Sequence, residues 1–138
     1  MTAAIIDIQL EQGIPRSVIV ANWRNEQGEL IPLAGSAAKF QLRTSIESDA
    51  PLLELSTEAG GGITIRNDDG VESLVATFTK EQTAALKPIE PRKATGGLPN
   101  VAPAFLVGVY ELRIDHPVHR PCSVLRGMLN IVLAVVRT

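Results

Sequence analysis

Apolar and polar side chains alternate along most of this chain with a period of two, and no stretch sustains a helical period over more than two turns. A period of two sends successive side chains to opposite faces, so such a chain forms strands with one face for a core and one for water. "AAIIDIQL" begins the pattern with Ile6, Ile8 and Leu10 on one face. After Gly13 and Pro15, "RSVIVANW" sets Val18 and Val20 against Ile19, Ala21 and Trp23. "RNEQGEL" supplies turn residues around Gly28, and Pro32 and Gly35 hold an extended connection. In "AAKFQLRTSI" the alternation turns Ala38, Phe40 and Leu42 inward and Lys39, Gln41 and Arg43 outward. "LLELSTE" continues with Leu53 and Leu55, and the triple glycine 60–62 reads as a hinge or bulge before "ITI". "NDDG" is hairpin-turn chemistry leading into a strand whose Leu74, Ala76 and Phe78 share a face.

The period changes once. Thr79 with Gln82 three residues on has the spacing of a capping box and predicts a short helix over about residues 80–86. Residues 87–105 hold four prolines and two glycines, which predicts a long proline-rich loop or arm with no regular element. Strand character resumes at "LVGVYELRID", reverses through "HPVHRP" and ends with "SVLRGMLNIVLAVV". About eight strands and one helical turn predict an all-β chain, an antiparallel immunoglobulin-like β-sandwich forming a single domain over residues 1–138. A closed barrel is the second architecture.

At 138 residues the chain can bury roughly two-thirds of its unfolded surface around one core. A net charge of −2 and five aromatic residues provide neither a basic surface nor a stacking platform, which argues against nucleic acid as a partner. The lone Cys122 cannot close an internal disulfide. "MTAAIIDIQLEQ" has no basic region before its apolar residues and does not read as a secretory signal. "MLNIVLAVV" falls short of the ~20 apolar residues of a membrane helix, so no membrane span is predicted. A 45% apolar content is nevertheless high for a domain of this size, and points to surface covered by other chains.

Few residues suggest chemistry. His116, His119 and Cys122 are three apart with Asp115 adjacent, but three-residue spacing aligns ligands only on a helix, which Pro117 and Pro121 forbid. The expectation is a hairpin turn with two exposed imidazoles and no metal. Asp68 and Asp69 belong to a turn rather than a calcium loop, and the triple glycine precedes a strand, unlike a phosphate cradle. Ser123 and His119 lack the strand-to-helix elbow of a hydrolase, so no catalytic residue and no cofactor is assigned and the chain is not read as an enzyme. Trp23 and Tyr110 sit among aliphatic neighbours and are assigned to the core. Arg43, Arg113 and Arg126, on or beside strands, are placed to pair with Glu54, Glu111 or a partner chain.

The pieces "NEQGELIPLAG", "AAKFQLR", "LLELS", "GGITI", "VATFTKEQTAAL", "GVYELRI" and "LRGMLNIVLAVVRT" cover nearly the whole chain in order. In that order they resemble small β-sandwich domains encoded among bacteriophage tail genes, similar to the N-terminal domain of siphophage baseplate upper proteins. The resemblance implies a non-enzymatic virion component, a tail or baseplate adaptor connecting tail and fibre or receptor-binding proteins. It also implies location in the virion tail after synthesis in the bacterial cytoplasm. Alternatives are a host-surface or carbohydrate-binding module and a virion decoration or completion protein. The connection over residues 87–107 is longer than in those relatives, and the sequence ends at Thr138 after its last strand, so their trimeric stalk is not implied.

The expected partners are other phage tail or fibre proteins and further copies of the chain, with neither nucleic acid nor membrane. Two segments are the candidate partner-binding surfaces. Ile89, Leu98, Val101 and Phe105 are apolar anchors along the proline-stiffened arm. In "MLNIVLAVV", Leu129, Ile131, Leu133 and Val135 can fill the core, which leaves Met128, Val132, Ala134 and Val136 to be covered by another surface.

Overall fold

The alternation resolves into strands arranged in two sheets in a computed structural model, which describes residues 3–21, 23–24, 27–89, 94–98, 102–117 and 122–134. The elements run β1 (Ala4–Ile5), β2 (Ile8–Glu11), β3 (Arg16–Ala21), β4 (Ala37–Arg43), β5 (Leu53–Ser56), β6 (Ile63–Asp68), β7 (Val71–Phe78), α1 (Lys80–Ala85), β8 (Ala94–Leu98), β9 (Ala102–Asp115) and β10 (Cys122–Val132). The larger sheet has the order β1-β10-β9-β4-β5, with β2 also on β10 and β8 also on β9. The smaller sheet is β3-β7-β6. Pairings are antiparallel except those of β1 and β2, which lie parallel to β10. The chain is thus an all-β sandwich with one short helix, made of two open sheets and not a closed barrel.

The inward rows of the two sheets meet in one core. Ala38, Phe40 and Leu42 of β4 and Tyr110, Leu112 and Ile114 of β9 lie across from Leu74, Ala76 and Phe78 of β7, all buried. Phe40 meets Phe78 edge-on with centroids 5.2 Å apart and stacks on Tyr110 at 5.3 Å, so one aromatic trio joins the sheets. Leu129 and Ile131 of β10 are also fully buried, as their spacing requires.

Local signals act where the sequence places them. Asp69 and Gly70 have φ of 52° and 83°, the two positive values that a two-residue type I′ hairpin requires, and the Gly70 N–H donates to Asn67 Oδ1 at 3.1 Å. At α1 the Gln82 N–H donates to Thr79 Oγ1 at 3.1 Å and the Thr79 N–H to Gln82 Oε1 at 2.9 Å, a complete capping box. The triple glycine carries the chain from β5 in one sheet to β6 in the other.

Three expectations need correction. The segment 87–105 is not irregular throughout: β8 pairs with the start of β9, Ala94 opposite Phe105 and Leu98 opposite Ala102. Proline excludes a helix there but not an extended edge; Pro103 is the second residue of β9, opposite Gly97, and a register shift between Ala94 and Gly96 absorbs the irregularity. Ile6 is exposed although Ile8 and Leu10 are buried, because the first strand breaks between β1 and β2. At that break the Ile6 carbonyl lies where a side chain on Gly127 of β10 would stand, so only glycine lets the crossing pack so closely. Trp23 is buried, as its assignment to the core expects, although it follows Ile19 in parity: β3 ends at Ala21, the alternation stops, and the indole turns into the core. His116 is not exposed either; it is buried with its ring 6.3 Å from that of Trp23 and its Nε2 2.8 Å from the Pro32 carbonyl oxygen. His119 lies outside the described residues.

Tyr110 ties the crossing to the core. Its hydroxyl donates to the Ile6 carbonyl, and burial, with the negative charge of Asp7 second, pushes its pKa up to about 12. The folded state therefore holds the phenol proton more tightly than the unfolded chain does. The resulting stability is complete below the unfolded value near pH 10 and is lost as pH rises from about 10 to about 12. Tyr110→Phe is expected to cost about 1 kcal/mol at neutral pH and to flatten this alkaline loss, measured by urea unfolding across that range. As the chain has one tyrosine, tyrosinate absorbance follows the same titration directly. Thr79→Ala is expected to cost about 1 kcal/mol in the same unfolding experiment, with unchanged denaturant dependence, through loss of the helix cap.

Candidate functional site

The outward rows of the larger sheet carry most of its charge. Alternation on β4 and β9 places Lys39, Gln41 and Arg43 beside Val109, Glu111 and Arg113 on one face, and β10 adds Arg126 and Met128. Register aligns Glu54, Gln41, Glu111 and Arg126 in one row across four strands. Arg43, Val109 and Met128 form the next row, and Lys39 faces Arg113 on the other side. All of these side chains except Glu54, together with Ile46 from the β4–β5 connection, line an open trough of about 720 Å³.

Hydrogen bonds fix the charged groups. Glu111 lies between two guanidinium groups, with Arg113 Nη2 2.8 Å from Oε1 and Arg126 Nε 3.2 Å from Oε2. Gln41 Nε2 donates to Glu54 Oε2 at 2.9 Å, and Lys39 Nζ lies 3.8 Å from the same carboxylate. The Arg43 guanidinium donates to two neutral acceptors, the Ser48 carbonyl at 2.8 Å and Gln41 Oε1 at 2.7 Å, so these contacts orient its charge without cancelling it. Exposed pairs of this kind add little stability. Their effect is to hold three guanidinium planes in set positions around one depression, each with N–H groups left to face a bound carboxylate.

A second hollow, about 600 Å³, lies between α1 and the strands and is lined mainly by Leu52, Leu53, Ala85, Leu86, Pro88 and Ile89. The candidate partner-binding residues are divided among several places. Ile89 is 45% exposed at this hollow, and its N–H donates to the Leu106 carbonyl at 2.8 Å. Leu98 is the last residue of β8, opposite Ala102. Phe105 is buried and pairs with Ile131. Met128, 48% exposed, belongs to the trough, and Val132 is half-buried opposite Ala104. Val101 and Val136 lie outside the described residues. The structure does not gather them into one site.

The trough was partly visible in the sequence, since residues 39, 41 and 43 and residues 111 and 113 share parity within strands. Pairing of Arg113 and Arg126 with Glu111 follows that expectation, whereas Arg43 turns to Gln41 and Ser48. Lys39 carried no signal beyond its parity; its partner Glu54 follows only from the β4–β5 register. Among the described residues no three His, Cys, Asp or Glu side chains are grouped to hold a metal ion. No helix of the described residues is long and apolar enough to cross a membrane.

The "PLAG" turn also has a place. The Leu33 and Ala34 N–H groups donate to Glu72 Oε2 of β7 at 2.7 and 3.0 Å, and the Pro32 carbonyl meets His116, so the segment is bound between the two sheets. Set against known proteins, the chain matches no protein-family model and no curated protein sequence.

Glu111→Gln tests how far the trough is organised by its central carboxylate. It is expected to change stability by less than about 1 kcal/mol in urea unfolding, because both partners stay solvated, and to reduce the dependence of stability on added salt.

Proposed function

We propose that this chain is a non-enzymatic, protein-binding structural domain, and that it serves in a bacteriophage virion as a tail or baseplate adaptor joining tail proteins to fibre or receptor-binding proteins. The observation that carries the binding part is the broad outer face of the larger sheet, where Met128 and Ile46 are exposed among three arginines and a lysine. Arg and Met are enriched at protein interfaces, and a wide, shallow, ion-pair-floored trough matches a protein surface better than a small ligand, which needs an enclosed, mostly apolar cleft. Trp23 and Tyr110 are both buried, which leaves this face without the aromatic platform favoured by sugar sites. The division of strands, β3-β7-β6 against β10-β9-β4-β5, is compatible with the immunoglobulin-like arrangement expected for the sandwich. The assignment to a virion rests on the sequence resemblance.

Co-expression of the chain with the products of its neighbouring genes is the direct test. A stable complex with a tail or fibre protein in size-exclusion chromatography with light scattering is expected, and Met128→Asp is expected to weaken it without lowering the thermal midpoint. Binding of a glycan array with no protein complex would instead identify a host-surface module and overturn the proposal.

A further inference from the structure

The outer trough has a charge pattern that selects a partner. Lys39, Arg43, Arg113 and Arg126 line it against a single lining carboxylate, Glu111, in a chain whose net charge is −2. Acids stand at its margins: Glu54 beside Lys39, Asp7 where its Oδ1 accepts the Met128 N–H at 3.1 Å, and Asp115 two residues from Arg113 on the same face of β9. The floor therefore attracts carboxylates while the margins repel them. A uniformly anionic polymer would meet both. A protein segment with a few carboxylates among apolar residues can set its charges on the guanidinium groups and its apolar side chains on Val109, Met128 and Ile46. A second copy of the same face would bring four cations against four cations.

We infer that the trough is the docking surface for an extended acidic segment of a partner protein, whose carboxylates are held by Arg43, Arg113 and Arg126. This rests on the adaptor reading for its biological setting, though not for its chemistry. The four strands β5, β4, β9 and β10 span about 15 Å at ordinary strand spacing, the length of about five extended residues. Each arginine is already oriented by a neighbour and keeps unshared N–H donors, so a carboxylate gains charge-assisted bonds with little further ordering.

The test uses the full chain and a fluorescein-labelled peptide of about ten residues alternating Glu and Val, read by fluorescence anisotropy. Expected are saturable binding, weakening as salt rises from about 0.1 to about 1 M, and no binding of the matching Lys–Val peptide. The triple variant Arg43→Gln, Arg113→Gln, Arg126→Gln should bind about tenfold or more weakly with an unchanged thermal midpoint. Should that variant misfold, Arg113→Lys with Arg126→Lys keeps the charges, loses the bidentate forks, and is expected to weaken binding by a smaller factor. Absence of peptide binding, or binding indifferent to both variants, overturns the inference. So does heparin binding as tightly as the peptide at equal charge, or concentration-dependent self-association abolished by the triple variant. A neighbouring gene product that still co-purifies with the triple variant leaves the adaptor reading standing and removes this docking site. Peptide binding without any such complex does the reverse.

Discussion

The rest of the molecule depends on the pairing of β9 with β10. Their ladder runs from Cys122 opposite Ile114 to Val132 opposite Ala104, and every other strand of the larger sheet is attached to one of the two except β5, which joins through β4. β10 carries β1 and β2 on its free edge, and β9 carries β8 beside its first residues and β4 beside its last. Backbone donors and acceptors that leave water must find partners, so a central pair with both outer edges occupied fixes the rest of the sheet. The core follows from the same pair. Tyr110 and Leu112 of β9, with Leu129 and Ile131 of β10, form much of the floor on which Phe40 and Phe78 meet.

The same ladder produces the proposed binding face. From Tyr110 to Asp115 every residue that β9 turns into the core is followed by one turned out, so the register that buries Tyr110 and Leu112 also sets Glu111 between Arg113 and Arg126. A slip of one residue would exchange the two faces, putting the charges into the core. The charged trough and the apolar core are thus two consequences of one pairing. Gly127 illustrates how closely they are coupled: the chain crossing it brings Ile6 to the Tyr110 hydroxyl and Asp7 to the margin of the trough.

The helix, the type I′ turn and the inward rows of β4, β7 and β10 were legible because each is written in neighbouring residues. Thr79 and Gln82 need only each other, and Asp69 and Gly70 need only a reversing chain. What failed to be legible depends on distant segments. Proline counts over residues 87–105 could not show that β9 offers an edge for β8, and the burial of His116 required the Pro32 segment, held on the other side by Glu72, to lie beside it. The candidate contacts Ile89, Leu98 and Phe105 were chosen as apolar residues along a proline-stiffened segment, which does not show that Phe105 is buried, whereas Met128 and Val132 were chosen by their alternation with the core row of β10, and Met128 is exposed.

The sequence by itself determined that this chain is an all-β sandwich, which residues of most strands face inward, and where the single helix and its cap fall. A period of two and a capping box act over a few residues, so no partner segment is needed to read them. Only the tertiary structure decided which strands are neighbours, that Glu54, Gln41, Glu111 and Arg126 form one row, and that three arginines far apart in sequence border one depression. The physical reason is that strand pairing joins backbone groups that are the same at every residue. The choice of neighbour is made by burying all the inward rows together, and no single segment of sequence contains that sum.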